Sequence, residues 1–223
     1  MLAMIFKRLL FISSILVGTS SAQEVKWMAI GDLHNWYSAV GCEIELGRTG
    51  QISDQQDGLR YPAFYRVQDN QAAKGLWLGA KNFYDPLVSK DYEHKVVHAG
   101  PRHLDIVGET IPKELTLYGK YDHSNVFVDG DPATNLQYLD EVDEVDPDLL
   151  SDRKIVNVVQ TSMGVEIQRT IYAFAHPDHQ NYHIQEYVFT NNGCYDADCN
   201  TSCEQTLDGF QVYLQYRYAI SRE

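Results

Sequence analysis

The chain has 223 residues, of which 31 are acidic and 18 are Lys or Arg, so its formal net charge is −13. Such a balance repels nucleic acid and anionic membranes, and it excludes a nucleic-acid-binding function. The length suits one domain of ordinary size, with two small domains as the alternative.

The N-terminus has the three regions of a cleavable secretory signal peptide. Lys7 and Arg8 precede an apolar run over residues 9–18, and the small residues Ser20 and Ala22 occupy positions −3 and −1 of a cut after Ala22. A retained membrane anchor is the weaker alternative, because the apolar run is much shorter than the ~20 residues that a membrane-spanning helix needs.

The predicted organisation is therefore a signal peptide at residues 1–22 followed by a β module at residues 23–223. No later segment reaches the roughly 18 uninterrupted apolar residues of a membrane span, so we expect that the mature protein is not an integral membrane protein.

The N-terminal half of the module predicts short strands. β-branched and aromatic residues, which are typical of strands, recur in residues 25–30, 77–83, 92–98, 114–121 and 126–128. One stretch, residues 68–76 (QDNQAAKGL), favours a helix instead. The acidic stretch 140–152 contains Pro147 and is predicted to be a loop, because proline interrupts both strands and helices.

The C-terminal third predicts four consecutive antiparallel strands. Residues 154–161 and 165–175 read as a hairpin joined by a short turn, and residues 182–190 form the next strand. From Phe210 onward apolar and other residues alternate, which predicts a last strand with one face on a core and one in water. The sequence therefore predicts a mainly β, antiparallel, β-sandwich-like (two-sheet) architecture with little helix.

All four cysteines, Cys42, Cys194, Cys199 and Cys203, follow the signal peptide. Exported proteins meet an oxidising compartment, so two disulfides are expected. The turn-rich loop from Cys194 to Cys203 favours one bridge within itself, and Cys42 would then be tied to that loop. A thiolate metal site is the alternative, although the C-x4-C-x3-C spacing lacks the C-x2-C pairs of zinc modules.

The tetrapeptide Gly31-Asp32-Leu33-His34 follows a predicted strand and resembles the first metal-binding motif of calcineurin-like metallophosphoesterases. In that family the residues matching Asp32 and His34 bind one ion of a two-metal site, and later G-D-x-x-D and G-N-H-[DE] motifs supply further ligands. This chain has neither later motif. The alternative, which the missing ligands favour, is a turn in which His34 and Trp36 pack locally.

Two further metal sites are suggested by residue type. Histidines 176, 179 and 183 lie close together along the chain, although their spacing matches no common ligand set. The acidic loop offers hard oxygen ligands for calcium, in a pattern that does not match an EF-hand; a solvated loop is the alternative. The candidate calcium ligands are Asp140, Asp143, Glu144, Asp146 and Asp148.

The aromatic residues suggest a carbohydrate-stacking surface. Trp27, Trp36 and Trp77 are the three tryptophans of a chain that also has 15 tyrosines. The alternative is that these side chains form cross-strand pairs that stabilise a sheet. The sequence lacks the G-x-S-x-G motif of a serine nucleophile and indicates no catalytic residue.

Several phrases taken together resemble the N-terminal region of large uncharacterised secreted proteins of Gram-negative bacteria, many of which end in a type IX secretion sorting domain. The phrases are LHNWYSAVGCEIELGR, QQDGLRYPAFYRVQDNQAAKGLWLGAKNF, KVVHAGPR and NYHIQEYVFTNNG. The resemblance implies export across the outer membrane, followed by release or attachment at the cell surface. The chain has no sorting domain, so a frame truncated at its C-terminus, with downstream domains as partners, is expected.

These observations predict a secreted or cell-surface β module with a structural, adhesive or ligand-binding role, whose ligand would be a carbohydrate or another cell-surface molecule. One alternative is the non-catalytic N-terminal part of a secreted hydrolase that acts on polysaccharide or protein. A weaker alternative is a metal-dependent phosphoesterase based on Asp32 and His34.

Overall fold

The fold is built from β-strands. The computed structural model describes residues 24–43, 59–65, 70–99, 109–123, 127–132 and 141–218, and within these ranges the chain forms twelve strands and no helix. The strands are β1 Val25–Ile30, β2 Leu33–Ser38, β3 Gln71–Asp85, β4 Lys90–Ala99, β5 Thr110–Gly119, β6 Phe127–Val128, β7 Asp131–Pro132, β8 Glu144–Val145, β9 Arg153–Thr161, β10 Val165–Ala173, β11 Ile184–Asn191 and β12 Asp208–Tyr218. The described part of the chain contains no helix long and apolar enough to cross a membrane. The predicted signal peptide lies outside the described residues.

Two larger sheets and two hairpins organise these strands. A five-stranded sheet has the order β11-β10-β9-β5-β8, and a three-stranded sheet has the order β12-β3-β4. All pairs are antiparallel except the short parallel pair of β5 with β8. Strands β1 and β2 form one hairpin, and β6 and β7 form the other. The predicted mainly antiparallel β architecture is thus confirmed.

Two hydrophobic clusters lie on one face of the five-stranded sheet, which we call the inner face. In the first, Leu78 and Val97 of the three-stranded sheet pack with Ile167 of β10. In the second, Met28 of the β1–β2 hairpin packs with Ile171 of β10. Ile167 and Ile171 are four residues apart in one strand, so they point to the same face. The three-stranded sheet therefore covers one part of the inner face, and the hairpin covers another.

The predicted helix at residues 68–76 is wrong, because β3 begins at Gln71 and runs to Asp85. This strand pairs with β12 on one side and with β4 on the other. Helix propensities differ by well under ~1 kcal/mol for Gln, Ala and Lys, so hydrogen bonding to two neighbouring strands outweighs them.

The last strand pairs differently from its prediction. β12 lies beside β3 at the edge of the three-stranded sheet, rather than beside β11 as a fourth consecutive strand. Val212 and Leu214 lie opposite the buried Leu78 and Leu76, so they do point to the core side. Both are nevertheless largely exposed, because an edge strand has a neighbour on one side only. The apolar face therefore lies on the core side, as predicted, but it is only partly covered.

The structure has one disulfide where two were expected. Cys194 and Cys199 form a bridge within the predicted loop, as expected, whereas Cys42 and Cys203 are free thiols. Cys42 is buried with the tryptophans of the β1–β2 hairpin, and Cys203 packs against the cluster beneath the three-stranded sheet. The expected second bridge to Cys42 is therefore absent, because these two thiols belong to different parts of the core.

Candidate functional site

Polar side chains separate the two hydrophobic clusters on the inner face. Arg169 lies between Ile167 and Ile171 in β10 and points to the same side, and Asn157 of β9 is its directly paired neighbour. Both are buried. We call the group formed by Glu43, Lys74, Asn157, Arg169 and Gln185 the polar seam. It lies where the cover of the five-stranded sheet changes from the three-stranded sheet to the β1–β2 hairpin.

Arg169 and Asn157 fix the chain segment that follows β2. Arg169 Nη2 donates to the carbonyl oxygen of Ser38 at 3.1 Å and to Asn157 Oδ1 at 3.0 Å. Asn157 Nδ2 donates to the carbonyl oxygen of Ala39 at 3.0 Å. Buried polar groups are stable only when hydrogen-bonded, so these contacts hold the turn that leads to Glu43 in one place.

The centre of the polar seam is an ion pair between Glu43 and Lys74, whose side chains are each 3% exposed. The Lys74 ammonium donates to Glu43 Oε1, to Gln185 Oε1 at 2.9 Å and to Tyr187 Oη at 3.3 Å. Glu43 also accepts hydrogen bonds of 2.8 Å from Gln185 Nε2 and from Asn35 Nδ2. All three ammonium protons and both carboxylate oxygens thus have partners, which is the condition for burying two charges without a large penalty.

Both members of this pair are charged at neutral pH. Burial alone would raise the pKa of Glu43, but the neighbouring Lys74 ammonium and Arg169 guanidinium hold that pKa below its usual value. Burial alone would lower the pKa of Lys74, but the Glu43 carboxylate holds it above its usual value. The pair therefore adds no net charge to its surroundings.

A pocket of about 290 Å³ opens beside the polar seam. Its walls combine buried polar groups with tyrosines and a few apolar side chains. The lining residues are Leu33, Asn35, Tyr37, Glu43, Leu59, Asn181, Tyr182, His183, Gln185, Tyr216 and Tyr218. They come from β2, from Glu43 and Leu59 in the chain between β2 and β3, from the segment between β10 and β11, from β11 itself and from the end of β12, so the fold brings distant parts of the chain together here.

His183 is a neutral member of the pocket wall. Its Nε2 is 3.0 Å from the Leu33 carbonyl oxygen, and its Nδ1 is 2.8 Å from Tyr37 Oη. A carbonyl oxygen only accepts, so Nε2 carries the proton and Nδ1 accepts from the Tyr37 hydroxyl. Burial lowers the pKa of His183 to about 4, and burial also raises the pKa of Tyr37 well above its usual value. Both side chains are therefore uncharged at neutral pH.

The turn between β1 and β2 fixes one rim of the pocket. The backbone N–H groups of Asp32 and Leu33 donate to the carbonyl oxygen of Gln180 at 2.9 and 3.2 Å. Gly31 has φ of +70°, and a Cβ added there would lie 2.7 Å from the carbonyl oxygen of Phe174 and 2.8 Å from that of Gln180. Contacts this short exclude any side chain at position 31. The turn therefore sits directly against the segment that carries Asn181.

The Asp32 and His34 pair does not form part of a metal cluster in the described residues. His34 Nε2 lies 3.1 Å from the Gly31 carbonyl oxygen, and its ring packs edge-on against Trp27 with centroids 5.7 Å apart. His34 therefore packs locally, which was the alternative to a metal site. The other histidine group also does not converge on one point, because His183 binds Tyr37 whereas His179 binds Tyr182.

The acidic loop is held by protein groups in its described part. Asp143 accepts from Lys26 Nζ at 2.6 Å and from the Leu117 backbone N–H at 2.6 Å, and Asp146 accepts from the Asp148 N–H at 3.1 Å. Glu144 lies in β8 and is exposed, and Asp140 lies outside the described residues. No three His, Cys, Asp or Glu side chains of the described ranges are placed to hold a metal ion, so the predicted calcium site gains no support.

The predicted tryptophan surface is wrong for two of its three members. Trp27 and Trp36 are both buried, with ring centroids 4.6 Å apart, because they are the directly paired residues of the β1–β2 hairpin. They therefore form a cross-strand pair, which was the alternative. Trp77 is exposed beside Tyr213 on the outer face of the three-stranded sheet, away from the pocket.

The polar seam was missed in the sequence, although part of its signal was present. Asn157 and Arg169 occupy inward positions of strands that otherwise alternate cleanly, and a polar residue at such a position indicates a buried polar contact. Lys74 lay within the predicted helix, and Glu43 lay in no predicted element. No local pattern links these two residues, since only the fold brings them together.

No family model, no curated protein and no solved structure matches this chain.

Replacing Lys74 by Met should lower the free energy of unfolding by about 3–5 kcal/mol, because Glu43 would be left as an unpaired buried charge. The double variant Glu43→Gln/Lys74→Met should lose clearly less than the sum of the two single variants. Urea denaturation of the four proteins measures this coupling. The matched control is Lys113→Met, which removes the exposed Lys113–Glu166 pair and should cost under about 1 kcal/mol. Strict additivity of the Glu43 and Lys74 variants would contradict the assignment.

His183 should make stability depend on pH. The pKa of His183 is about 4 in the folded state, whereas the ordinary value of 6.5 applies to the unfolded chain. Between these two pH values the unfolded chain therefore binds one proton more than the folded protein. The contribution of His183 is complete above pH 6.5 and is lost as pH falls towards 4, by up to about 3 kcal/mol. The His183→Gln variant should lack this part of the decline in stability. Urea denaturation at pH values from about 4 to about 7, the range in which histidine titrates, measures the difference. His94→Gln, at a side chain that is 64% exposed, is the control. Parallel curves for wild type and His183→Gln would count against this role.

Proposed function

We propose that the protein is an exported β module that binds a small polar ligand in the pocket beside the polar seam. The observation that carries this proposal is the pocket wall. Asn35, Tyr37, Glu43 and Gln185 are held by hydrogen bonds to one another and to Lys74, and all four line the opening. Ligand sites have this character, in which a few polar groups are fixed in position before the ligand arrives.

Stability alone does not account for the polar seam. A buried ion pair can usually be replaced by well-packed apolar residues at no loss of stability, and often with a gain. The clusters on either side of the polar seam are apolar and well buried, so apolar side chains could fill the place of the polar seam as well. A charged and amide-rich layer where the core opens into this pocket supports a role in binding.

The pocket also offers ordered groups of more than one kind. Tyr216 and Tyr218 supply aromatic surface at its mouth, and Asn181 and Tyr182 supply an amide and a hydroxyl. These residues are exposed, whereas the wall behind them is buried. A ligand would therefore meet accessible side chains at the entrance and buried, hydrogen-bonded groups inside, which supports binding rather than a purely structural role.

Export is supported by the sequence and by the sulfur chemistry. The signal-peptide pattern of residues 1–22 and the resemblance to secreted Gram-negative proteins both favour passage across the membrane. The Cys194–Cys199 bridge is compatible with an oxidising compartment. We accordingly propose that the module acts outside the cell or on the outer surface, with downstream domains as partners in the complete protein.

Binding in the pocket can be tested by ligand-observed NMR with a library of small polar fragments, both neutral and charged. Some fragments should bind the wild-type protein, and Asn181→Trp should weaken them about ten-fold or more, because an indole at the mouth would fill the opening. The control Asn200→Trp changes an exposed asparagine outside the pocket and should leave binding unchanged. Absence of any bound fragment, or equal binding by both variants, would contradict the proposed function.

Export can be tested in a Gram-negative host by measuring the mass of the mature protein. We expect an N-terminus at Gln23, since the small residues Ser20 and Ala22 define a cut after Ala22. The Ile15→Arg variant interrupts the apolar run and should remain uncleaved inside the cell, whereas Lys7→Arg keeps the charge and should be processed normally. A wild-type protein that keeps Met1 would show that residues 1–22 are not a signal peptide.

A further inference from the structure

The mouth of the pocket carries two nearly parallel tyrosine rings. Tyr216 and Tyr218 have centroids 5.6 Å apart and an interplanar angle of 12°, and they are 41% and 63% exposed. They are two residues apart in β12, so their side chains leave the same face of the strand. Tyr216 is held in place by the Lys74 ammonium, which lies 4.9 Å from its ring centroid. The pocket therefore has an ordered and accessible aromatic surface along one side.

Glu43, which is the one charged residue among the described residues that line the pocket, is already paired with Lys74. Each proton of the Lys74 ammonium has an acceptor within the protein, and the Glu43 carboxylate has three donors. A charged ligand would find no unpaired opposite charge there, and it would lose its own hydration on entering. His183 adds no charge either, because burial lowers its pKa to about 4. The pocket is therefore complementary to a neutral molecule.

The groups that remain for a ligand both donate and accept hydrogen bonds. Among the described residues, the Asn181 amide and the hydroxyls of Tyr216 and Tyr218 have no hydrogen-bond partner, and all three side chains line the pocket. Amides and hydroxyls match ligand hydroxyl groups, which also donate and accept. The electron-rich face of a tyrosine ring suits the weakly positive C–H groups on one side of a sugar ring.

We propose that the ligand is a neutral carbohydrate, of which one sugar ring enters the pocket and packs its C–H face on Tyr216 and Tyr218 while its hydroxyls meet the Asn181 amide. The volume of about 290 Å³ lies just below the roughly 300–1,000 Å³ range of ligand pockets, which favours one ring over a longer chain. This assignment rests on the proposed function, since it names the ligand class of the same pocket.

The experiment is a titration of the purified protein, followed by NMR and calorimetry. The probes are methyl hexosides of several configurations, short neutral oligosaccharides, glucuronic acid, glucosamine and the open-chain polyol sorbitol. At least one neutral sugar should bind. Its anionic and cationic counterparts should bind about ten-fold more weakly or worse, because each charge would enter the pocket unpaired. Sorbitol should also bind more weakly, because it has the hydroxyls without the rigid C–H face.

Variants of β12 then locate the sugar. Tyr218→Ala should weaken sugar binding about ten-fold, because it removes half of the aromatic surface, whereas Tyr216→Phe should retain most of it because the ring remains. The matched control is Tyr213→Ala, which removes a tyrosine that is 54% exposed on the opposite face of the same strand. Thermal unfolding and circular dichroism of each variant should remain close to those of the wild type, which separates lost binding from lost folding.

The outcomes distinguish this assignment from the proposed function. If polar fragments bind the wild-type protein and bind Asn181→Trp more weakly, but no sugar binds, the carbohydrate assignment is wrong and the binding function stands. If sugars bind equally well to wild type and Tyr218→Ala, or if charged sugars bind as tightly as neutral ones, the assignment is also wrong. If neither fragments nor sugars bind, both proposals fall.

Discussion

The buried ion pair of Glu43 and Lys74 is the contact on which the arrangement of the covering elements depends. Glu43 follows the β1–β2 hairpin, Lys74 belongs to the three-stranded sheet, and Gln185 of the five-stranded sheet binds both. One group of charge-assisted hydrogen bonds thus joins three separately paired units. An uncompensated charge at this depth costs several kcal/mol, so the three units keep their spacing only when all of these partners are in register.

The pocket is a consequence of that arrangement. Apolar side chains fill the inner face where either cover lies flat on it, as around Ile167 and Ile171. Between the covers the polar seam takes their place, and the chain around Tyr216 does not close over it completely. A binding site at the junction of packed units is common, because neither unit alone can enclose the space between them. The aromatic mouth and the paired Glu43 carboxylate together favour a small uncharged polyhydroxy ligand.

Much of the fold could be predicted from the sequence, whereas most of the site could not. Strands β9, β10 and β11 follow from runs of β-branched and aromatic residues that are bounded by turn signals. β12 shows the limit, since alternation indicates which side chains share a face but not which strand lies alongside. The stretch around Lys74 was misread because weak helix propensity was outweighed by pairing on both sides. Glu43 and Gln185 are 142 positions apart in the chain, and no local signal connects them.

The glycine turn at the pocket rim allows no side chain at position 31, whereas neighbouring positions at the rim are exposed. Position 31 has no room for any side chain, so backbone contacts set the closest approach of the turn to the neighbouring segment. The adjacent Asn181 and Tyr182 are exposed and carry no such restriction. Substitutions at these two positions would therefore change the chemistry of the entrance, whereas its width on the side of the turn would stay as the glycine sets it.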